Sequence, residues 1–349
     1  MNDLRDKIRE LIEQETQMGH FSVLNTTTNV ELIQQIISNY EKTHGLKKVV
    51  SEEELPKKAE LVFVAAPTGA GKDSLVARLN HQNPEKKYIE LNMDIFRHYF
   101  PEFIENTDSL TDRDFAKMTN EFAYEIYYTI QEILLQEFPG TNIIITGTLR
   151  ETDWVEQTFE RFKSDPKTDY EVRLVCLAVP KKESALSVIH RYVGIVDAQK
   201  DRLEYYPGTA RYTSIRYHDE TYEKFPKHLE YFQKKFEQQP GKLIDYIEVH
   251  RRGKSIGDLE EDTKVFSTAE PNKIRTALEA VSQLRAKPYQ PTYEEITSIM
   301  RKIHNNKDYL TSQGTLKEIL KDLAIILDYP DILKRLEDTQ WEPETPEDR

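Results

Sequence analysis

Cysteine is almost missing from this chain: Cys176 is the single one in 349 residues. No disulfide can form within the chain. Cys176 lies inside the apolar run 172–179 and reads as a buried core residue rather than a catalytic thiol. Excess positive charge is missing too. Lys and Arg number 48 against 61 Asp and Glu, a net charge of −13. That balance argues against a general nucleic-acid or membrane-surface binder, and leaves room for a local basic pocket. No stretch approaches the roughly 20 apolar residues of a membrane span. Residues 1–19 are charged throughout, without the apolar centre of a secretory signal. A cytoplasmic location is expected, with neither nucleic acid nor membrane as partner. No internal repeat of solenoid length occurs.

What is present is ordered periodicity. Leu4, Ile8, Leu11 and Ile12 recur at helical spacing, and Val30, Ile33, Ile36 and Ile37 form a second stripe beyond a polar break at 25–29. A charged connector, 51–60, leads to a dense apolar run at 61–66. From there short apolar strands, at 88–91, 142–145, 172–179 and 244–249, alternate with helical stripes. One stripe runs Phe115, Met118, Phe122, Ile126, Ile130, Ile133. Another, Tyr222, Phe225, Leu229, Phe232, Phe236, carries a break at Pro226. Alternation of this kind predicts an α/β fold, a mostly parallel sheet with helices on both faces. After about 255 the pattern turns helical, with Leu316, Ile319, Leu320, Leu323 and Leu327 on one stripe. The last ten residues, rich in Glu, Asp and Pro, read as disordered. The chain divides into a helical N-terminal extension, 1–56, a nucleotide-binding domain, 57–255, and a helical C-terminal extension, 256–349.

The segment Ala66-Pro67-Thr68-Gly69-Ala70-Gly71-Lys72-Asp73-Ser74 follows the first strand and opens a helix. That is the setting of a phosphate-binding loop of the P-loop NTPase type. Its glycines let backbone N–H groups turn to phosphate oxygens. The helix adds its positive end, and Lys72 a point charge for the β- and γ-phosphates. Against G-x-x-x-x-G-K-[ST], Ala66 replaces the first Gly and Asp73 the hydroxyl residue that normally ligates Mg2+. Asp73 either holds the metal itself, shares it with Ser74, or repels the phosphates. Thr68 to Ser74 are the expected nucleotide-binding residues, with Asp73 and Ser74 the metal candidates.

Phosphoryl transfer then needs a base for the acceptor hydroxyl and further cations for the γ-phosphate. Asp94 follows the second strand, where ligand crevices lie in doubly wound sheets. It suits the base, and equally a helix N-cap. Thr148 and Arg150 follow the third strand and suit acceptor binding. Arg191 lies off its helix's apolar stripe and Arg211 follows Pro207-Gly208. Either serves as an in-chain arginine finger, or as an ordinary solvated charge.

These motifs, in this order, resemble those of the zeta toxin family over about 60–252. Asn92-Met93-Asp94-Ile95-Phe96-Arg97 is similar to the family's N-x-D-x-F-[RK], which sets Asp94 on the catalytic base. Ala116 to Glu121 resembles a helix with a substrate-binding Glu. An ungapped match sets Asn120 on that Glu, with Glu121 one position on. Ile145 to Arg150 resembles I-E-G-T-x-R, with Thr146 in place of Glu. Ala178-Val179-Pro180-Lys181, His190-Arg191-Tyr192, Thr209-Ala210-Arg211 and His218-Asp219 are similar to A-V-P-K, E-R-Y, T-A-R and H-D. The resemblance sets Arg191 and Arg211 on the γ-phosphate arginines. It implies ATP or GTP with Mg2+, a sugar hydroxyl of UDP-N-acetylglucosamine as acceptor, toxicity through cell-wall synthesis, and an epsilon-type antitoxin as partner. A kinase for another small hydroxyl compound is the alternative kept by Asn120 and Thr146. A nucleotide-binding module without turnover is the alternative kept by Asp73.

Overall fold

The computed structural model describes residues 2–24, 29–46, 48, 58–99, 117–199, 212–254, 258–270 and 274–328. Helices α1 (Asn2–Gln17) and α2 (Asn29–His44) precede strand β1 (Lys58–Ala65) and helix α3 (Lys72–Gln82). Strand β2 (Ile89–Leu91) leads into the short helix α4 (Met93–Phe96), then α5 (Asn120–Glu137), β3 (Ile143–Gly147) and α6 (Thr152–Lys163). Next come β4 (Asp169–Ala178), α7 (Lys181–Gln199), α8 (Ile215–Gln238), β5 (Tyr246–Arg251) and β6 (Lys264–Ser267). Four helices follow: α9 (Ala277–Arg285), α10 (Tyr293–Asn305), α11 (Lys307–Ser312) and α12 (Leu316–Leu327).

The sheet order is β2-β3-β1-β4-β5-β6. The first five strands are parallel and β6 runs antiparallel to β5. Leaving β1, the chain moves toward β2; every later crossover moves the opposite way. Right-handed crossovers in opposite directions land on opposite faces. So α3 covers one face, over Val62, Val64, Ile144, Val175 and Leu177. The other face, Leu61, Phe63, Ile143, Ile145, Leu174 and Cys176, lies under α5, α6 and α8. The connections part at the carboxyl end of β1, which opens a crevice there. Phe63, Phe159 and Phe232 form an aromatic chain through the larger core, edge-to-face at the first step and tilted at the second, with ring centroids 5.7 Å apart at both. Cutting Phe159 to alanine would cost about 3 to 5 kcal/mol.

The extensions attach differently. Helices α1 and α2 pack on each other and on α5, in the same core as the sheet. The Glu125 carboxylate of α5, fully buried, accepts from the backbone N–H groups of Ser22 (2.7 Å), Val23 (3.1 Å) and Leu24 (2.7 Å). The C-terminal helices build a second core on α7: Leu186, Ile189, Tyr192 and Val193 meet Ile299, Met300, Ile303, Ile319 and Leu323.

Some elements depart from the sequence reading. Beyond 255 the chain is not helical alone, since β6 adds an edge strand of four residues. The connector expected over 51–60 ends earlier, because Lys58 to Glu60 already pair with β4. Met118 is 41% exposed and does not share the buried stripe of α5. Pro226 does not break α8, which runs unbroken past it. Proline removes one helix hydrogen bond, but Tyr222, Phe225, Leu229 and Phe232 are all buried along the same face and hold the helix down. Phe115, the polar break at 25–28 and the acidic C-terminal end lie outside the described residues.

Candidate active site

The phosphate loop joins β1 to α3. Gly69 (φ 78°) and Gly71 (φ 101°) both take the left-handed region, which glycine enters without steric cost. Gly69 has a second reason to lack a side chain: a Cβ there would lie 2.1 Å from the carbonyl oxygen of Ser184, on α7. Gly71 is the N-cap of α3 and supplies no side-chain cap. The N–H groups of that first turn need partners, which an anion provides. Thr68 and Ser74 are half-buried, Ala70 is buried, and Asp73 is exposed on the first turn. A carboxylate and a hydroxyl on adjacent residues are hard oxygen ligands of the kind Mg2+ takes.

The half-buried Lys72 turns its ammonium onto the loop, donating to the carbonyls of Ala66 (3.1 Å) and Pro67 (3.5 Å). Burial lowers its pKa to about 8, with the Asp73 and Asp94 carboxylates acting upward and the Arg191 guanidinium downward. Residues from the loop, from the end of β2 and from α7 thus all bear electrostatically on one ammonium.

A cavity of about 810 Å³ opens beside the loop. Gly69, Gly71, Lys72, Asp73 and Ser74 form one wall. Arg191, Arg251, Arg252 and Lys254 bring positive charge from α7 and the end of β5, and Lys287 adds more from behind α9. Glu183 and Glu295 are the opposing carboxylates besides Asp73 among the described lining residues. An acidic chain therefore concentrates cations at one crevice, which suits a polyanion.

Arg252 went unnoticed in the sequence. Its guanidinium donates to the carbonyls of Ala70 (3.1 Å) and Gly69, to Ser187 Oγ (2.9 Å) and to Glu183 Oε1 (3.0 Å). Holding those loop carbonyls from behind fixes the loop's curvature. The available signal was position alone, one residue past the carboxyl end of β5.

The acceptor candidates gather elsewhere at the same end of the sheet. Asn92, not Asp94, is the N-cap of α4: its side chain accepts from the Asp94 N–H at 3.0 Å. Asp94 is left with a side chain 66% exposed. Arg97, nearly buried, donates from Nε to Asp94 Oδ1 (3.0 Å) and from Nη2 to Asn120 Oδ1 (2.9 Å). So Asp94 and Asn120, 26 positions apart in the chain, share one guanidinium. Glu121 is exposed on the first turn of α5. Thr148 and Arg150 flank Leu149, a buried residue at φ 52°. That conformation costs a leucine about 1 to 2 kcal/mol, and His228 Nδ1 holds the Leu149 carbonyl at 2.8 Å. Arg150 pairs with Glu220 (3.2 Å) and lies 4.8 Å over the Tyr217 ring. Thr146 is half-buried at the end of β3. Arg191 is exposed on α7 and lines the cavity. Arg211, with Thr209 and Ala210, lies outside the described residues.

His218, named in the sequence only as part of a motif, is fully buried. Its Nε2 lies 2.8 Å from Ser184 Oγ, on the residue whose carbonyl abuts Gly69. The pair ties the start of α8 to the part of α7 that backs the phosphate loop.

Among the described residues no helix is long and apolar enough to cross a membrane. The zeta toxin family matches residues 45–264. A zeta toxin of Streptococcus agalactiae is 28% identical over 236 residues, covering 66% of this chain and 72% of that protein. One of Streptococcus pyogenes is 24% identical over 281 residues, covering 79% and 88%. A solved chain from the PezAT chromosomal toxin-antitoxin system of Streptococcus pneumoniae superposes with a TM-score of 0.55. It is 18% identical, covers 79% of this chain and 96% of that one, and shares the fold. With the loop, the parallel sheet and this match over most of its length, the chain belongs to the zeta toxin family, that of nucleotide-dependent toxin kinases.

Proposed function

We propose that the chain transfers the γ-phosphate of ATP or GTP to a sugar hydroxyl of UDP-N-acetylglucosamine, acting as a toxin against cell-wall synthesis, with an epsilon-type antitoxin as partner. One observation carries the reading: Arg191 lines the same cavity as Lys72 and the phosphate loop, and the Asp94 carboxylate bears on the Lys72 ammonium. A donor phosphate on the loop would have a candidate base and a cation in its neighbourhood. That is the arrangement of charge which phosphoryl transfer requires.

Lys72 and the loop N–H groups hold the β- and γ-phosphates. Asn120, Glu121, Thr148 and Arg150 surround the acceptor. The hydroxyl oxygen bonds to the γ-phosphorus as the bond to the β-phosphate oxygen breaks, and Asp94 takes the hydroxyl proton. Arg191 and Arg211 neutralise the transferring group. Asp73 and Ser74 would hold Mg2+, which adds charge neutralisation on the phosphates when bound.

The test is nucleoside diphosphate release with Mg2+-ATP, with and without UDP-N-acetylglucosamine, and the mass of the sugar nucleotide afterwards. Acceptor-dependent ADP and one added phosphate support the proposal. ADP that does not depend on this acceptor sinks the substrate assignment. A kinase for another small hydroxyl compound is the second reading, favoured by the Arg97–Asn120 bond: Asn120 stands where the resemblance sets a carboxylate, and its oxygen is already engaged. Asp73→Thr separates both from a module without turnover, since restored activity in that variant would locate the defect in the loop.

A further inference from the structure

The cavity beside the phosphate loop is lined in part by residues the family match does not reach. Lys287, Pro288 and Tyr289 line it, and the match ends at 264. They form a strap between α9 and α10, anchored in a different core at each end. On one side Ala280, Val281 and Leu284 of α9 sit in the main core. On the other, Ile299, Met300 and Ile303 of α10 pack on α7. Because α7 also touches Gly69 through Ser184, strap and loop are referred to the same helix.

Tyr289 is held in place. Its hydroxyl donates to Glu295 Oε1 at 3.1 Å. The other oxygen of Glu295 accepts from the Thr292 N–H at 2.7 Å, and Thr292 Oγ1 accepts from the Glu295 N–H at 3.1 Å. This is the capping box that starts α10. A capping box satisfies two orphan donors reciprocally; here its carboxylate also fixes an aromatic side chain in the cavity wall.

We propose that the strap Lys287–Tyr289 is the nucleoside wall of the donor site, with the Tyr289 ring stacking on the base of the triphosphate. The inference rests on the reading of the loop as a donor site. A cavity of about 810 Å³ lies in the size range of small-molecule pockets. With the phosphates at Gly69 to Ser74, the attached nucleoside has the rest of the cavity to fill, and the strap lines part of it. A fixed aromatic ring and a proline present apolar surface to a flat base. Stacking tolerates any base, because every base has a π-face, so the wall takes adenine and guanine alike.

The test compares full-length wild type, Tyr289→Leu and Tyr289→Phe by calorimetry, with ATP, GTP and inorganic tripolyphosphate as ligands. Tyr289→Leu should weaken ATP and GTP about tenfold and leave tripolyphosphate unchanged. Tyr289→Phe, which keeps the ring, should bind ATP nearly as wild type does and shows that the position tolerates change. ATP affinity unaltered in Tyr289→Leu overturns the inference alone. So does an equal loss for tripolyphosphate, since the ring can act only on the nucleoside. Wild-type protein that binds neither ATP nor tripolyphosphate overturns the donor-site reading and the inference with it.

Discussion

The Nε of Arg97 donates to the Oδ1 of Asp94 at 3.0 Å, and this fixes the orientation of the carboxylate proposed to accept the substrate proton. Arg97 is only 4% exposed, and its second arm reaches Asn120. A planar guanidinium reaches the two partners with separate, fixed nitrogens; an ammonium offers a single nitrogen and does not reproduce that spacing. Asp94→Asn should lower kcat by about 10² to 10⁴. Arg97→Lys should lower it about tenfold through misplacement of Asp94, with the KM for ATP unchanged. Steady-state ADP release checks both. Full activity in Asp94→Asn would remove the residue from the mechanism.

The lowered pKa of Lys72 makes donor binding sensitive to pH. In the nucleotide-free protein burial brings it to about 8, so the ammonium is complete below that pH and lost above it. ATP affinity should fall as pH rises from 7 to 9, and Lys72→Arg, whose charge persists, should flatten the dependence. Stability takes the opposite sign. The unfolded chain binds more protons between pH 8 and roughly 10.4, so this group's contribution to stability rises across that window. Titrations of ATP at two pH values decide the first point; a pH-independent affinity in wild type would count against it.

A polar chain crosses the α3 face of the sheet. Arg173 reaches Glu60 at 3.1 Å and Glu248 at 3.0 Å, all three side chains at least 86% buried. Arg173→Met would take the bridging cation from both carboxylates, leaving Glu248 with His250 and Glu60 with Lys86 and Tyr88, at a cost of about 3 kcal/mol. Burial pushes the Glu248 carboxyl up, but the His250 hydrogen bond and the Arg173 charge outweigh it and hold the pKa at about 2. A depressed carboxyl stabilises above its unfolded pKa of about 4.3 and loses that contribution as pH falls toward 2. Urea unfolding at pH 7, 4 and 3 should show wild type losing stability in that interval and Arg173→Met losing less.

Glu125 anchors the N-terminal extension. Three backbone N–H groups converge on its carboxylate. Glu125→Gln preserves the shape but puts an amide donor where an acceptor is required. A loss of about 2 to 3 kcal/mol is expected, together with faster proteolysis around residues 20–24. No residue of α1 or α2 lines the cavity at the phosphate loop among the described residues. ATP affinity should therefore stay as it is; a matching drop in affinity would show that the extension acts on the donor site.

How much of this was legible beforehand follows from what each residue depends on. The loop, its strand and its helix were readable because glycine, lysine and two periodicities sit within 25 residues of one another. Asp94 was readable because strand ends line crevices in this fold. Its cap was misread, because Asn92 and Asp94 both suit that position and only backbone geometry separates them. Arg252 and the strap at Lys287–Tyr289 were not readable. Their meaning comes from contacts across 182 positions for Arg252 with Ala70, and from a turn whose location two separate cores decide. Strand β6, with four residues on an edge, was too short to carry a period. The uninterrupted α8 shows packing overriding a local signal, with a buried aromatic stripe outweighing one proline.

The solitary thiol has a use beyond the fold. Cys176 is fully buried in β4, and burial pushes its pKa up, so the native protein offers no nucleophilic sulfur of its own to a labelling reagent. A cysteine placed at the exposed Lys287 would take a fluorophore alone, without any background replacement. The chain is in that sense already prepared as an optical reporter of what enters the cavity beneath the strap.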